Sequence, residues 1–246
     1  MTTRLLDAGD GAVTVEFGSA ISPALVAEVA ALDHHVALAR ARGELLGVIE
    51  TMPTFRSLTV LYDPLVTCRA ELDPALRSLL GEKTEARAAP LRRWCLPVCY
   101  GGAFGADLDD VAAACGVPMD EVVRLHASTE FTVYMIGFMP GLPFMGGLPA
   151  VLAMPRRKEP RLRVPAGSVA ITGGLSTIYP WESPGGWQLL GRCPVPLFDV
   201  GLASPGLLAP GDRVGFEAVT SARYSELHGA LRGGELLADS FMERQT

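Results

Sequence analysis

Five basic residues lie within eight positions of the sequence, in the stretch PRRKEPRLRVPAGSV that begins at residue 155. They are Arg156, Arg157, Lys158, Arg161 and Arg163. The whole chain carries 21 Lys and Arg against 27 Asp and Glu, a net charge of −6, so this cluster opposes the overall charge balance. Guanidinium groups bind carboxylates and phosphates through paired, parallel hydrogen bonds. The cluster therefore points to anion binding.

Prolines interrupt the basic cluster at Pro155, Pro160 and Pro165. Their rings restrict the backbone, which lowers the entropy lost when charged side chains must hold one geometry. We therefore expect Arg156 and Arg161 to form a preordered anion clamp. The alternative, a solvated positive loop, is the interpretation that composition alone favours.

Two further segments, GFMPGLPFMGGLP before the basic cluster and TIYPWESPGGWQLLGR after it, are rich in glycine and proline. Over residues 137–215, 14 Gly and 12 Pro make up 26 of 79 residues, with apolar runs such as SVAIT, GWQLL and PLFDV between them. This spacing predicts short strands with abrupt turns, in an antiparallel barrel or sandwich. The first segment can equally be a rigid loop over a barrel end, and one tryptophan of the second is expected in the core.

The first ninety residues show the pattern strand, helix, strand, strand, helix, which predicts a small α+β domain with helices on one face of a sheet. A polar stretch at residues 81–90 ends in proline and separates it from the remainder. We therefore expect domains at 1–88 and 89–246. The signals are AVTVEF, a helix from Ser22-Pro23 to Gly43, ELLGVIE, SLTVLY, and a helix opened by Asp73-Pro74 and closed by Gly81.

The second domain opens with a predicted strand, LRRWCLPVCY, and two predicted helices. Three glycines before the first helix could be read as a phosphate-binding loop, but the GxxxxGK[ST] pattern is missing and three aspartates crowd the helix start. A tight turn with acidic capping is the preferred interpretation. These residues are Gly101, Gly102 and Gly105, and Asp107, Asp109 and Asp110.

The totals exclude several classes of protein. An acidic chain with one short basic cluster does not favour nucleic-acid binding. No run approaches the roughly 20 apolar residues of a membrane span, and the first twenty residues lack the apolar block of a signal peptide. A soluble, cytoplasmic protein is therefore expected. Its five scattered cysteines predict reduced thiols rather than a metal site.

Three ordered motifs, IGFMPGLPFMGGLP, MPRRKEPRLRVPAGSVAITGG and IYPWESPGGWQLLGRCP, resemble the allophanate hydrolase subunit 1 or KipI family, also called carboxyltransferase subdomain C and D. RLHASTEFTVYMIGF, PGDRVGF and DAGDGAVTVEFG extend the resemblance over nearly the whole chain. It implies a small α+β N-terminal domain followed by a mainly-β, cyclophilin-like barrel domain.

Three functions follow from this resemblance. Some members resemble the B subunit of an ATP-dependent 5-oxoprolinase, which opens 5-oxoproline to glutamate together with two partners: a barrel-type C subunit, related to KipA and allophanate hydrolase subunit 2, and an A subunit. One relative instead inhibits a histidine kinase, and another forms part of a biotin-dependent carboxyltransferase. We expect the first: a non-autonomous subunit of an ATP-hydrolysing amidohydrolase, with an ATP site shared with its partners and no metal. No biotin-accepting Met-Lys occurs, because Lys83 and Lys158 are the only lysines and neither follows a methionine.

The resemblance also suggests roles for individual residues. Arg156 and Arg161, with Arg157 and Arg163 beside them, would bind anions at the barrel mouth and stabilise charge on a transferring phosphoryl group. His126 is a candidate acid or base, since its unperturbed pKa is about 6.5, but a structural histidine bonded to the backbone is the preferred interpretation. The other expected substrate contacts are a hydroxyl at Ser168 and a pocket wall of Tyr179, Ser183, Gly185, Gly186 and Trp187.

The chain departs from the family pattern at one place. Where Gln-Thr-Gly commonly follows the paired glycines, this sequence has Leu175-Ser176-Thr177. An apolar side chain thus replaces an amide, and a polar ligand group placed there would remain unpaired. The departure leaves the substrate's identity open without affecting the expected fold.

Overall fold

The computed structural model describes residues 3–81 and 92–243. Contacts divide the chain into two compact units, Met1–Ala89 and Pro90–Thr246. The boundary expected between residues 88 and 89 lies outside the described residues. Within the described part of the chain, no helix has the length and apolar character needed to cross a membrane.

The first unit is a four-stranded antiparallel sheet with two helices. Its elements are β1 (Arg4–Asp7), β2 (Ala12–Glu16), α1 (Pro23–Ala41), β3 (Val48–Pro53), β4 (Ser57–Tyr62) and α2 (Arg69–Leu80). The strands lie in the order β1-β2-β4-β3. Val13 and Val15 of β2 are fully buried and pack into one core with both helices. Thr14 points to the opposite face, as the predicted alternation requires.

The two helices of the first unit test the sequence signals. Ser22 caps α1 as predicted, because its Oγ accepts a hydrogen bond from the Leu25 amide at 3.3 Å. The predicted start of α2 at Asp73-Pro74 is wrong, since the helix begins at Arg69 and Pro74 lies inside it. An Arg69–Asp73 ion pair and the burial of leucines on the inner face offset the hydrogen bond that proline removes.

The second unit contains a closed seven-stranded barrel and three α-helices among its described residues. Its elements are β5 (Arg93–Tyr100), α3 (Leu108–Cys115), α4 (Met119–Ala127), β6 (Phe131–Ile136), β7 (Pro143–Gly146), a 3-10 helix (Ala150–Leu152), β8 (Arg161–Val164), β9 (Ser168–Thr172), β10 (Leu175–Ile178), β11 (Ser183–Gly185), β12 (Gln188–Arg192), β13 (Arg213–Ala218), α5 (Ser221–Gly233) and a 3-10 helix (Ala238–Phe241). The barrel order is β10-β7-β6-β13-β5-β12-β9, and β9 pairs with β10 to close it.

Three features of the second unit differ from the sequence expectations. The barrel is not wholly antiparallel, because β13 runs parallel to β5 along its full length. PLFDV is not a strand: Phe198 makes one isolated bridge, and the Asp199 carboxylate accepts the Gly201 amide to form a turn. The sequence patterns do not predict helix α5. Together the units make the chain mixed α and β, with five α-helices among the described residues.

The second unit has two hydrophobic cores, because successive side chains of β9 point to opposite faces of the strand. Val169 and Ile171 of β9 point into the barrel, where they join the main core. Ala170, between them, points outward and packs in a smaller core with Tyr179 and Trp187. Strands β8 and β11, which form a separate two-stranded sheet, contribute Val164 and Gly185 beside it. The candidate site lies at this outer core.

The glycine-rich turn after β5 passes very close to β12. The amides of Gly101 and Asp107 donate to the carbonyls of Leu190 and Leu189 at 2.9 and 3.0 Å. A Cβ added at Gly105 would lie 1.9 Å from the Leu190 oxygen. A side chain there is incompatible with the packing of this turn, so its glycine has a structural role.

We expect Gly105→Ala to lower the free energy of unfolding by about 1–3 kcal/mol, because the turn must move away from β12. Urea denaturation measures this change. Gly174→Ala is the matched control, since its added Cβ would meet nothing within 4 Å, and its effect should stay within about 0.5 kcal/mol. Equal effects of the two substitutions would contradict the close approach.

Candidate functional site

A cleft of about 90 Å³ lies over the outer core of the second unit. It joins the three segments that the sequence singled out: the two rich in glycine and proline, and the basic cluster. Five of the expected site residues line it, namely Arg156, Tyr179, Gly185, Gly186 and Trp187. The other lining residues are Phe138, Leu142, Phe144, Thr177 and Pro184.

The cleft has apolar walls and one positively charged side chain. The rings of Phe144 and Trp187 meet edge to face with centroids 5.8 Å apart. Phe138 stands at the rim with a φ of 68° and is 72% exposed. Arg156 is exposed, and no acidic residue within 3–81 or 92–243 forms an ion pair with it. An apolar group with one negative charge matches these walls.

The predicted pairing of Arg156 with Arg161 is not the arrangement found. Arg161 Nη2 lies 2.5 Å and Arg157 Nη1 2.8 Å from the same oxygen, Oδ1 of Asp107. The other oxygen of this carboxylate accepts the Leu189 amide at 2.7 Å. Asp107 is 1% exposed, so the two guanidinium groups neutralise a buried charge. Arg157 and Arg161 therefore stand beside the cleft with a partner of their own.

The remaining expected contacts lie away from the cleft wall. Arg163 forms an exposed ion pair with Glu182 at 2.8 Å. Ser183 lies in β11 opposite Val164. Ser168 is fully buried, and its Oγ has no hydrogen-bond partner among the residues that the structure describes. The geometry does not bring these three side chains together with Arg156.

The hydroxyl of Tyr179 is protonated and lies near the guanidinium group of Arg156. Burial raises the pKa of Tyr179, while the nearby Arg156, a hydrogen bond from the Trp187 backbone and Arg161 act in the opposite direction. Gly185 packs directly on this hydroxyl, since a Cβ there would lie 2.5 Å from it. A glycine at this position thus leaves room for the tyrosine oxygen.

His126 lies inside the barrel rather than at the cleft. Its ring is fully buried, stacked on Phe216 at 4.8 Å, and both nitrogens have partners: Tyr100 Oη at 2.8 Å from Nδ1 and Ser176 Oγ at 3.0 Å from Nε2. Ser176 in turn donates to the Ala170 carbonyl. These contacts fit a neutral ring in which Nδ1 accepts a hydrogen bond from the Tyr100 hydroxyl and the Nε2–H group donates to Ser176 Oγ.

Burial lowers the pKa of His126 to about 3, so the ring stays neutral near pH 7. The expected acid or base role would require access to substrate, which this position does not give. The geometry favours a structural histidine. Its hydrogen-bond partners are hydroxyl groups, whereas the expected partner is the backbone.

Sequence reasoning missed Asp107 as a site residue and Thr177 as a cleft residue. The sequence predicts that Asp107 caps α3, but its side chain makes no capping hydrogen bond and turns to the arginines instead. Thr177 faces the cleft and donates to the Pro143 carbonyl at 2.7 Å. No spacing in the sequence reports a contact between residues 50 positions apart, such as Asp107 and Arg157.

Comparisons with known proteins agree with the motifs. A family model described as "Carboxyltransferase domain, subdomain C and D" matches residues 3–208. The chain belongs to this family. It is 36% identical over 230 residues to the 5-oxoprolinase B subunit of Bacillus subtilis (strain 168), covering 88% of this chain and 92% of that protein. It is 43% identical over 179 residues to the 5-oxoprolinase B subunit of Escherichia coli O157:H7, covering 73% and 82%.

A solved structure is also similar. The crystal structure of TTHA0988 superposes with a TM-score of 0.73 at 36% identity and covers 85% of this chain. This chain spans 40% of the length of that one. The resemblance inferred from the motifs is thus confirmed.

The low pKa of His126 predicts a pH dependence of stability. The unfolded state takes up a proton near pH 6.5 and the folded state only near pH 3, so the stability contributed by the neutral ring is present above pH 6.5 and lost as the pH falls toward 3. As the pH is lowered from 6.5 toward 3, the free energy of unfolding of the unsubstituted chain should decrease by about 1.4 kcal/mol per pH unit more than that of His126→Gln.

Denaturation at pH 7, 6, 5 and 4 measures this difference, and groups common to both proteins cancel. Proton NMR gives a second measurement that does not need the variant: one histidine ring signal should show no titration between pH 7 and 4. Titration of the His126 ring near pH 6.5 would contradict the buried network.

Proposed function

We propose that this chain acts as the B subunit of an ATP-dependent 5-oxoprolinase complex, which opens 5-oxoproline to glutamate with ATP hydrolysis. The similarity to two proteins with that name, over most of the chain, is the observation that carries this proposal. Its partners would be a barrel-type C subunit and the A subunit of the same complex. The complex would act in the cytoplasm.

The family order of domains is part of the proposal. Residues 1–88 would form the small α+β domain and residues 89–246 a barrel of the cyclophilin-like type. A closed seven-stranded barrel in the second unit supports this.

An unstrained lactam is difficult to open, because its carbonyl is a weak electrophile and its nitrogen a poor leaving group. ATP supplies an activated phosphoryl group that can convert the carbonyl oxygen into a leaving group. The residues of the cleft do not fit this nucleotide. The cleft measures about 90 Å³, whereas pockets for drug-sized ligands measure about 300–1,000 Å³, and its lining has one guanidinium group.

The cleft fits the other reactant. Arg156 can bind the carboxylate of 5-oxoproline through paired hydrogen bonds, and Phe144 and Trp187 offer apolar surface to its ring. The protonated Tyr179 hydroxyl lies on the same wall and can donate to a ligand oxygen. In this proposal the chain binds and orients the lactam, and its partners complete the reaction site.

Reconstitution tests the proposal. The chain, mixed with the C and A subunits, should support ATP hydrolysis that depends on 5-oxoproline. Arg156→Ala should raise the KM for 5-oxoproline by about 10- to 100-fold, the loss expected for one charge-assisted hydrogen-bonded pair.

Lys158→Ala is the matched control, since it removes the same charge from the same segment two residues away, is exposed and does not line the cleft. Its KM should stay within twofold of the unsubstituted chain. An intact complex without 5-oxoproline-dependent activity would reject the enzyme and favour a regulatory binding protein of the kinase-inhibitor type.

A further inference from the structure

We infer that Asp107 is a positioning residue for Arg156, and that the cleft recognises a small ring bearing a single carboxylate while nucleotide phosphates bind outside it. The inference rests on the proposed function and adds to it the residue that positions Arg156. It follows from how the segment carrying Arg156 is held.

The residues on both sides of Arg156 are anchored to one segment, residues 186–189. The Pro155 carbonyl accepts a hydrogen bond from Gln188 Nε2 at 3.0 Å, and the Arg157 amide donates to the Gly186 carbonyl at 2.7 Å. The backbone that carries Arg156 is therefore fixed at both ends. Its side chain has no such restraint among the described residues and remains exposed to a ligand.

Asp107 fastens the same segment a second time. Its carboxylate holds the Arg157 and Arg161 guanidinium groups and also accepts the Leu189 amide. One buried charge thus joins the start of α3, the basic cluster and β12. Its loss would leave two guanidinium groups close together without their shared anion, and like charges would repel. The basic cluster would then move away from β12, and Arg156 with it.

The ligand class follows from size and charge. Asp107 engages Arg157 and Arg161, and among the described residues that line the cleft Arg156 supplies the one guanidinium group for direct contact with a ligand. A triphosphate spreads several charges over many oxygens and needs more donors than this. One carboxylate matches one guanidinium fork, and the edge-to-face Phe144–Trp187 pair suits a small, flat ring. A five-membered lactam with one carboxylate has both properties.

The test compares two lactams that differ in one group: 5-oxoproline and 2-pyrrolidinone, which lacks the carboxylate. Ligand-observed NMR on the full chain measures binding of each without requiring turnover. We expect 5-oxoproline to bind at least tenfold more tightly, this preference to disappear in Arg156→Ala, and excess ATP to leave 5-oxoproline bound. Displacement by ATP, or equal binding of the two lactams, would overturn the ligand assignment.

Asp107→Asn tests positioning, because an amide keeps an acceptor for Leu189 but removes the charge. It should weaken 5-oxoproline binding about tenfold and leave 2-pyrrolidinone binding within twofold. A role in stability alone would affect both ligands equally, and that result would overturn the positioning role.

Gln188→Met gives an independent measurement if Asp107→Asn does not fold. It removes the anchor of Pro155 without changing any charge, and should weaken 5-oxoproline binding about threefold in the same selective way. Unchanged binding in this variant would contradict positioning of Arg156 through its neighbours.

These results separate the inference from the proposed function. If the chain binds 5-oxoproline selectively through Arg156 but the reconstituted complex shows no lactam-dependent ATP hydrolysis, the site stands and the enzyme proposal fails. If the complex is active while the cleft variants keep normal binding and KM, the enzyme proposal stands and the site fails.

Discussion

The buried carboxylate of Asp107 is the interaction on which the candidate site depends. A buried charge is costly unless it is paired and hydrogen-bonded, and here two guanidinium groups and one backbone amide satisfy it. Those partners come from the basic cluster and from β12, which are remote from α3 in sequence. The cost of leaving the charge unpaired therefore acts against any arrangement in which these segments separate.

Two glycines allow close approaches of the chain in the segments around this charge. Gly185 lets the chain pass against the Tyr179 hydroxyl, and Gly105 lets the turn before α3 pass against β12. Alanine at either position would place a carbon at a distance that packed atoms do not reach. Glycine at these two positions thus allows the close packing of the tyrosine beside β11 and of the turn before α3 against β12.

The parts of the fold that rest on local patterns could be predicted from the sequence. The cap at Ser22 and the alternation of β2 depend on residues close together in the chain. Asp107 and His126 could not be assigned in this way, because their partners lie between 26 and 82 positions away in the chain. Acidic residues at a helix start predict capping, and only tertiary contacts redirect Asp107 toward the arginines.

The three residues that depart from the family pattern, Leu175-Ser176-Thr177, lie in β10, where successive side chains point to opposite faces. Ser176 points into the barrel and contacts His126, whereas Leu175 and Thr177 point outward to the smaller core. Thr177 lines the cleft, while Leu175 packs on the core and is not part of the lining. Strand β10 therefore places the Thr177 side chain at the cleft, while the Leu175 side chain contributes to packing of the smaller core. In the proposed lactam site, Leu175 therefore has a packing role rather than a place in the cleft lining.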